Sequence, residues 1–171
     1  MSESQRGPEV TGDDVRAAMR SVPAPVTVVV IGGPDPRGIT IGSFVTVSLE
    51  PPMVSFNVQQ SAQIHDDLLR SERFAVHVLA SDQSRYSEVF ADPGLTGAEQ
   101  FARVDFLVGA DGLPSLSGTL VRLLCTLEAS HPVGDHSLVL GRIESIGPVA
   151  QVDALLYVNR GYSGISAADG S

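Results

Sequence analysis

"GITIGSFVTVSLEPPMVSFNVQQSAQ", residues 38–63, is the stretch whose reading decides the fold. Its first part, "ITIGSFVTVSL", is rich in β-branched residues, which suit a pleated strand. It predicts one long strand over 39–49, with Gly42 inside it as a bulge or a point of close backbone approach. Pro51-Pro52 then breaks the chain before a second strand, "MVSFNVQ". Ser61 follows as the N-cap of a short helix, "AQIHDDLLRSE", whose Ile64, Leu68 and Leu69 make one apolar stripe.

The pattern continues on both sides. Upstream, "TGDDVRAAMRSV" reads as a helix capped by Thr11 with acids in its first turn, followed by the strand "VTVVVIGG" and the turn "GGPDPRG". Downstream come the strand "RFAVHVLA", a capped helix "SDQSRYSEVFAD", a Gly-rich loop and three further strands, "TLVRLLCTLEASHPV", "HSLVLGRIESIGPV" and "ALLYVN". Strands dominate and turn signals recur. The expected fold is therefore mainly β with accessory helices, closed as an antiparallel barrel. No G-x-G-x-x-G follows a strand, which argues against a Rossmann nucleotide site. Residues 11–165 read as a single domain between disordered tails at 1–10 and 166–171.

Composition narrows the function. The chain has 171 residues, a formal charge of −9 and 43% apolar residues. An acidic chain is a poor general binder of nucleic acid or anionic membrane, both of which require clustered basic surface. No apolar run approaches the roughly 20 residues of a membrane span, and "MSESQRGPEV" lacks a signal-peptide apolar region, so the expected location is the cytoplasm. All 11 basic residues are Arg, so an anion site must use Arg, hydroxyls or backbone N–H groups. The single Cys125 excludes an intrachain disulfide and reads as an inert buried thiol.

Two stretches carry candidate chemistry. Strand periodicity places Thr40, Thr46 and Ser48 on one face and Ser43 on the other. That pattern fits either a solvated hydroxyl face or the wall of a site for a flat polar heterocycle, with Gly42 admitting the ligand closely. At the next junction, Gln59-Gln60-Ser61 offers either a plain N-cap or a phosphate site built from helix N–H groups. The second stretch is the turn Gly134-Asp135-His136, an ionisable pair where a simple hairpin prefers Asn-Gly. His65 reads as a solvated helix residue and His77 as facing solvent or a subunit neighbour. The histidines show no metal spacing, and no metal is expected.

At this point the residues carry a resemblance. "VTVVV…G…GITIGSFVTVSLEPPMVSFNV", "S…RFAVHVLA", "GLPSLSGTLVRLLCTLEASHPVGDHSLVLGRI" and "LLYVNRGY" occur in the order seen in the flavin reductase family, over roughly residues 19–163. The resemblance implies an FMN-binding split β-barrel, antiparallel and homodimeric. It also implies use of NADH or NADPH to reduce FMN or FAD, with release of the reduced flavin to a partner flavin-dependent monooxygenase. Thr40, Ile41, Gly42 and Ser43 would line the isoalloxazine and Ser48 the ribityl chain, while Gln59, Gln60 and Ser61 would approach the phosphate. His136 would sit beside the flavin as the catalytic residue, with Arg160 and Tyr162 on the nicotinamide dinucleotide. Two departures stand out: Ile64 replaces a hydroxyl residue common in relatives, and no basic residue lies beside Ser61, where Gln63 and His65 are the nearest substitutes. The competing expectation is a flavin-binding or flavin-storage module without nicotinamide oxidation.

Overall fold

The computed structural model describes residues 9–165, so the expected tails at 1–10 and 166–171 lie outside the described residues, save Glu9 and Val10. In chain order the elements begin with α1 (Gly12–Met19), β1 (Ala24–Pro25), β2 (Thr27–Ile31), β3 (Arg37–Ile41), β4 (Val45–Leu49) and β5 (Pro52–Gln59). Then come α2 (His65–Arg70), β6 (Arg73–Val78), α3 (Ser84–Ala91), α4 (Gly97–Phe101), β7 (Phe106–Val108) and β8 (Pro114–Leu116). The long strands β9 (Val121–Val133) and β10 (His136–Ile146) and the hairpin β11 (Ala154–Val158) and β12 (Gly161–Ile165) complete the chain. Thr11 caps α1 through a capping box with Asp14, as its sequence position indicates.

The single strand expected over 39–49 is two strands. Seven strands pair antiparallel in the order β3-β2-β6-β9-β10-β5-β4, so β3 and β4 form the opposite edges of one sheet. Only Gly42, Ser43 and Phe44 join them, a link whose reach from Ile41 to Val45 is roughly 15 Å. A flat seven-stranded sheet is about 29 Å wide, so the link forces the sheet to roll until its edges approach. Asn57 N–H donates to Ser43 Oγ at 2.9 Å, stitching the link to β5. The break also resets the side-chain alternation, and β4 carries a register shift between Thr46 and Ser48. Thr40 therefore shares no strand face with Thr46 and Ser48.

β2 shows why the strands lack clean alternation. All five of its residues are buried, because its two faces feed two cores. Val29 and Ile31 join Ile41, Val54, Phe56, Phe74, Leu123, Cys125 and Val139 inside the roll, where Phe56 and Phe74 meet edge to face. Val28 and Val30 join Ala75, Leu79, Phe90, Phe101, Leu113, Leu116 and Leu155 on the outer face. That outer face is covered by α3, α4, the β7–β8 hairpin and β11. His77 lies under this cover, fully buried, and its Nε2 accepts from Leu116 N–H at 3.2 Å. It does not face solvent or a neighbour, because a hairpin distant in sequence closes over it. Burial, reinforced by the Arg122 guanidinium, lowers its pKa from 6.5 to about 3.

Other local expectations also shift. Helix α2 starts at His65 with Ile64 as N-cap and no capping side chain, so Ser61 is not its cap. Residues 59–62 are occupied by a turn, in which Ala62 N–H donates to Gln59 O. Helix α3 likewise lacks a side-chain cap, since Gln83 instead accepts from Ala80 N–H and donates to Ser117 O. The Gly-rich loop hides α4, whose Thr96–Glu99 capping box was legible in "TGAE". Cys125 is buried and its thiol is pushed up to about 12, mainly by desolvation.

Candidate active site

The site is built along the free edge of β3. Gly38 brings that strand against α3, since a Cβ there would lie 2.5 Å from the Phe90 ring. Its outward backbone groups are taken up by Gln100, which accepts from Gly38 N–H at 3.1 Å and donates to Gly38 O at 3.2 Å. Antiparallel alternation makes Thr40 the next residue whose N–H and C=O point away from β2, and Gly42 follows just past the strand's end. The Thr40 hydroxyl is already bonded, donating to Ser87 O at 2.7 Å, so this wall presents chiefly main-chain groups.

The Gly134-Asp135-His136 turn faces this edge. Val133 pairs with His136, which leaves Gly134 and Asp135 as a two-residue hairpin loop. Gly134 has φ +59°, and glycine at the first central position suits a type II′ turn. Asp135 Oδ1 lies 2.7 Å from His136 Nδ1, and this contact holds the Asp135 carboxyl below the usual carboxylate range. The pairing orients the ring and leaves Nε2 without a hydrogen-bond partner among the described residues. Gln60, just past the end of β5, braces the turn: its N–H donates to Asp135 O and its side-chain amide to His136 O, both at 3.0 Å.

A cavity of about 540 Å³ lies between these parts, lined by Ile39, Thr40, Ile41, Gly42, Ser43, Asn57, Gln59, Val133 and His136. It adjoins a second of about 460 Å³, which contains Arg37, Gln59, Ser61, Gln63 and the α3–α4 connection. A third, about 240 Å³, opens on the far side of Thr40–Gly42 against Tyr157 and Tyr162. Tyr162 donates its hydroxyl to Ser87 Oγ at 3.0 Å.

The fold thus brings Thr40, Ile41, Gly42, Ser43, Gln59 and His136 around one cavity, Ser61 into the next, and Tyr162 into the third. Ser48, Gln60 and Arg160 line none of the three. Ser48 sits on the opposite sheet edge, opposite Met53. Gln60 is occupied in bracing the His136 turn. Arg160 is exposed at the β11–β12 hairpin tip with φ +64°. Arg37 and Ile39, on β3 with Thr40, and Val133, next to Gly134, also line the cavities but were not singled out from the sequence, while Asn57 reaches them because the roll brings β5 near β3.

His65 is largely buried rather than solvated. Its Nε2 lies 2.9 Å from Ser137 Oγ and its Nδ1 2.7 Å from Asp66 Oδ1, an arrangement like a hydrolytic triad. None of the three lines any of these cavities, and the contact fastens α2 to β10. Among the described residues no helix is long and apolar enough to cross a membrane.

Residues 19–166 match the family model described as "Flavin reductase like domain". The chain is 35% identical over 129 residues to the FMN reductase (NADH) SmoA of Agrobacterium fabrum, covering 75% of this chain and 72% of SmoA. The fold is similar to that of the Streptomyces globisporus NADH:FAD oxidoreductase SgcE6, solved in complex with NAD and FAD fragments. That comparison has a TM-score of 0.86 and 31% identity, and covers 96% of this chain and 100% of the other. It is similar also to BorF, the flavin reductase component of a bacterial two-component tryptophan halogenase, with a TM-score of 0.85 and 32% identity over 92% of this chain and 100% of BorF.

Proposed function

From the premise that the chain belongs to the flavin reductase-like domain family, we propose how its residues work as an NAD(P)H:flavin oxidoreductase. The enzyme uses NADH or NADPH to reduce FMN or FAD and supplies reduced flavin to a partner enzyme. The observation that carries the site is the cavity of about 540 Å³, with open backbone groups of β3 on one side and His136 on the other. Its volume lies within the range of small-molecule sites, and an edge strand presents alternating donors and acceptors to a polar heterocycle. The residues present therefore fit a flavin ring.

When bound, the flavin supplies the hydride-accepting chemistry, and the protein supplies binding and orientation. Thr40 and Gly42 offer main-chain hydrogen bonds, Ile39 and Val133 exclude water, and Gln59 and Ser61 lead toward the second cavity. His136, held by Asp135, orients the nicotinamide against the ring and contributes no proton to the hydride step. Tyr162 stands beside the same strand, where its ring bounds the third cavity. Residues 11–165 act as one domain in this proposal, since β2 and β6 contribute alternate residues to both cores.

The partner is proposed to be a flavin-dependent monooxygenase, and the location cytoplasmic. A second copy of the chain is proposed to cover β4, whose Val45, Val47 and Leu49 are 54%, 53% and 80% exposed on an edge strand. Light scattering showing a monomer at micromolar concentration overturns that dimer.

Nicotinamide oxidation measured with FMN, FAD or no flavin tests the activity itself. Turnover only with added flavin is expected, and the preferred pair identifies both cofactors. Flavin fluorescence quenched without turnover would instead leave a storage module.

A further inference from the structure

We propose that Arg37 is the anchor for the phosphate of the bound flavin, and so the residue that selects phosphorylated flavin over riboflavin. This rests on the reductase reading above and concerns its second cavity. Among the described residues lining the three cavities along β3, Arg37 carries the one guanidinium.

Its setting is that of a held but unsaturated donor. The side chain is 17% exposed. Nη1 donates to Gln63 Oε1 at 2.8 Å, and Gln63 in turn donates through Nε2 to Pro93 O at 2.6 Å. Gln63 is thereby clamped at both ends and fixes the plane of the guanidinium. Nη2 makes only a 3.3 Å contact with Asp35 Oδ2, whose carboxylate is mostly exposed. Nε is buried and has no hydrogen-bond partner among the described residues. A largely but not fully buried Arg with one firm neutral acceptor and one long contact to a solvated carboxylate has donor capacity for an incoming anion.

The surroundings point to phosphate on a tether. Ser61, Gln59 and Gln63 add neutral donors to the same cavity, and Asp92 adds a negative charge. With a formal charge of −9 on the chain, an anion there requires a local cation. The cavity shares Ile39, Thr40 and Gln59 with the neighbouring one that fits the ring, so one ligand can place a heterocycle in the first and an anionic group in the second. Arg37 also answers the absence of a basic residue beside Ser61. It arrives from β3, more than twenty positions upstream, rather than from the adjacent chain.

Equilibrium binding of riboflavin, FMN and FAD to wild type and Arg37→Gln, followed by flavin fluorescence, tests this. Losing a charge-assisted phosphate contact should weaken FMN or FAD binding about tenfold to a hundredfold while riboflavin binding stays unchanged. The flavin that loses more identifies whether a monophosphate or a pyrophosphate is the natural group. An FMN-over-riboflavin preference that survives in Arg37→Gln overturns the assignment. Should that variant fail to fold, the Nε–H resonance of Arg37 in wild type decides. It should shift on adding FMN or FAD and stay in place with riboflavin, and no shift with FMN overturns the assignment. Wild type binding FMN and riboflavin equally also overturns it and leaves the reductase reading intact. Wild type binding no flavin overturns that reading itself.

Discussion

Acidification should weaken this protein through one buried side chain. His77 has a folded pKa of about 3 against an ordinary value of 6.5, because its ring sits under the β7–β8 hairpin. The Arg122 guanidinium, paired with Asp111 at 2.8 Å, adds to the lowering, while Asp111 itself pulls the other way. Between about pH 6.5 and pH 3 the unfolded chain binds a proton that the folded one refuses, so stability falls as pH falls across that window. At about pH 5 the loss is governed by the unfolded value, since the folded one lies far below. One and a half pH units then correspond to about 2 kcal/mol relative to neutral pH. Other groups titrate too, and the variant His77→Gln isolates this one, because its amide oxygen can still accept from Leu116 N–H. Denaturant unfolding at about pH 7 and about pH 5, at one fixed protein concentration, should show wild type losing about 2 kcal/mol more than the variant. Equal losses in both would refute the buried neutral histidine.

Four further outcomes follow from the geometry. His136→Ala should raise the nicotinamide KM or lower kcat with flavin binding little changed, and unaltered steady-state kinetics would remove it from the site. Arg160→Gly should raise stability by about 1 kcal/mol, since glycine carries no left-handed penalty at φ +64°, and a parallel rise in the nicotinamide KM would assign the arginine a binding role. Gly141→Ala should cost about 1–3 kcal/mol in denaturant unfolding, because its Cβ would lie 2.5 Å from Phe74. Cys125, with its thiol near 12, should react with a disulfide reagent at mildly alkaline pH only on unfolding, and rapid labelling of native protein would contradict its burial.

Local sequence determined most of the elements. Runs such as "VTVVVI" and "HSLVLGRI" are strands wherever they pair, since β-branched and apolar side chains set that preference within a few residues. Thr11 and Asp14 likewise make a helix start without outside help. The cavity wall at Thr40–Ser43 and the turn carrying His136 were legible as short contiguous motifs. Pairing was not legible: nothing within 39–49 says that its halves belong to opposite sheet edges, because the partners that separate them are β2 and β5. The same limit governs His77, whose cover comes from Leu116, and Gln60, whose acceptors are Asp135 and His136. It governs Arg37 as well, which meets Ser61 only once the sheet has rolled. Propensity acts through bonded neighbours, whereas burial and donor supply depend on groups far along the chain, and only the tertiary structure decided those.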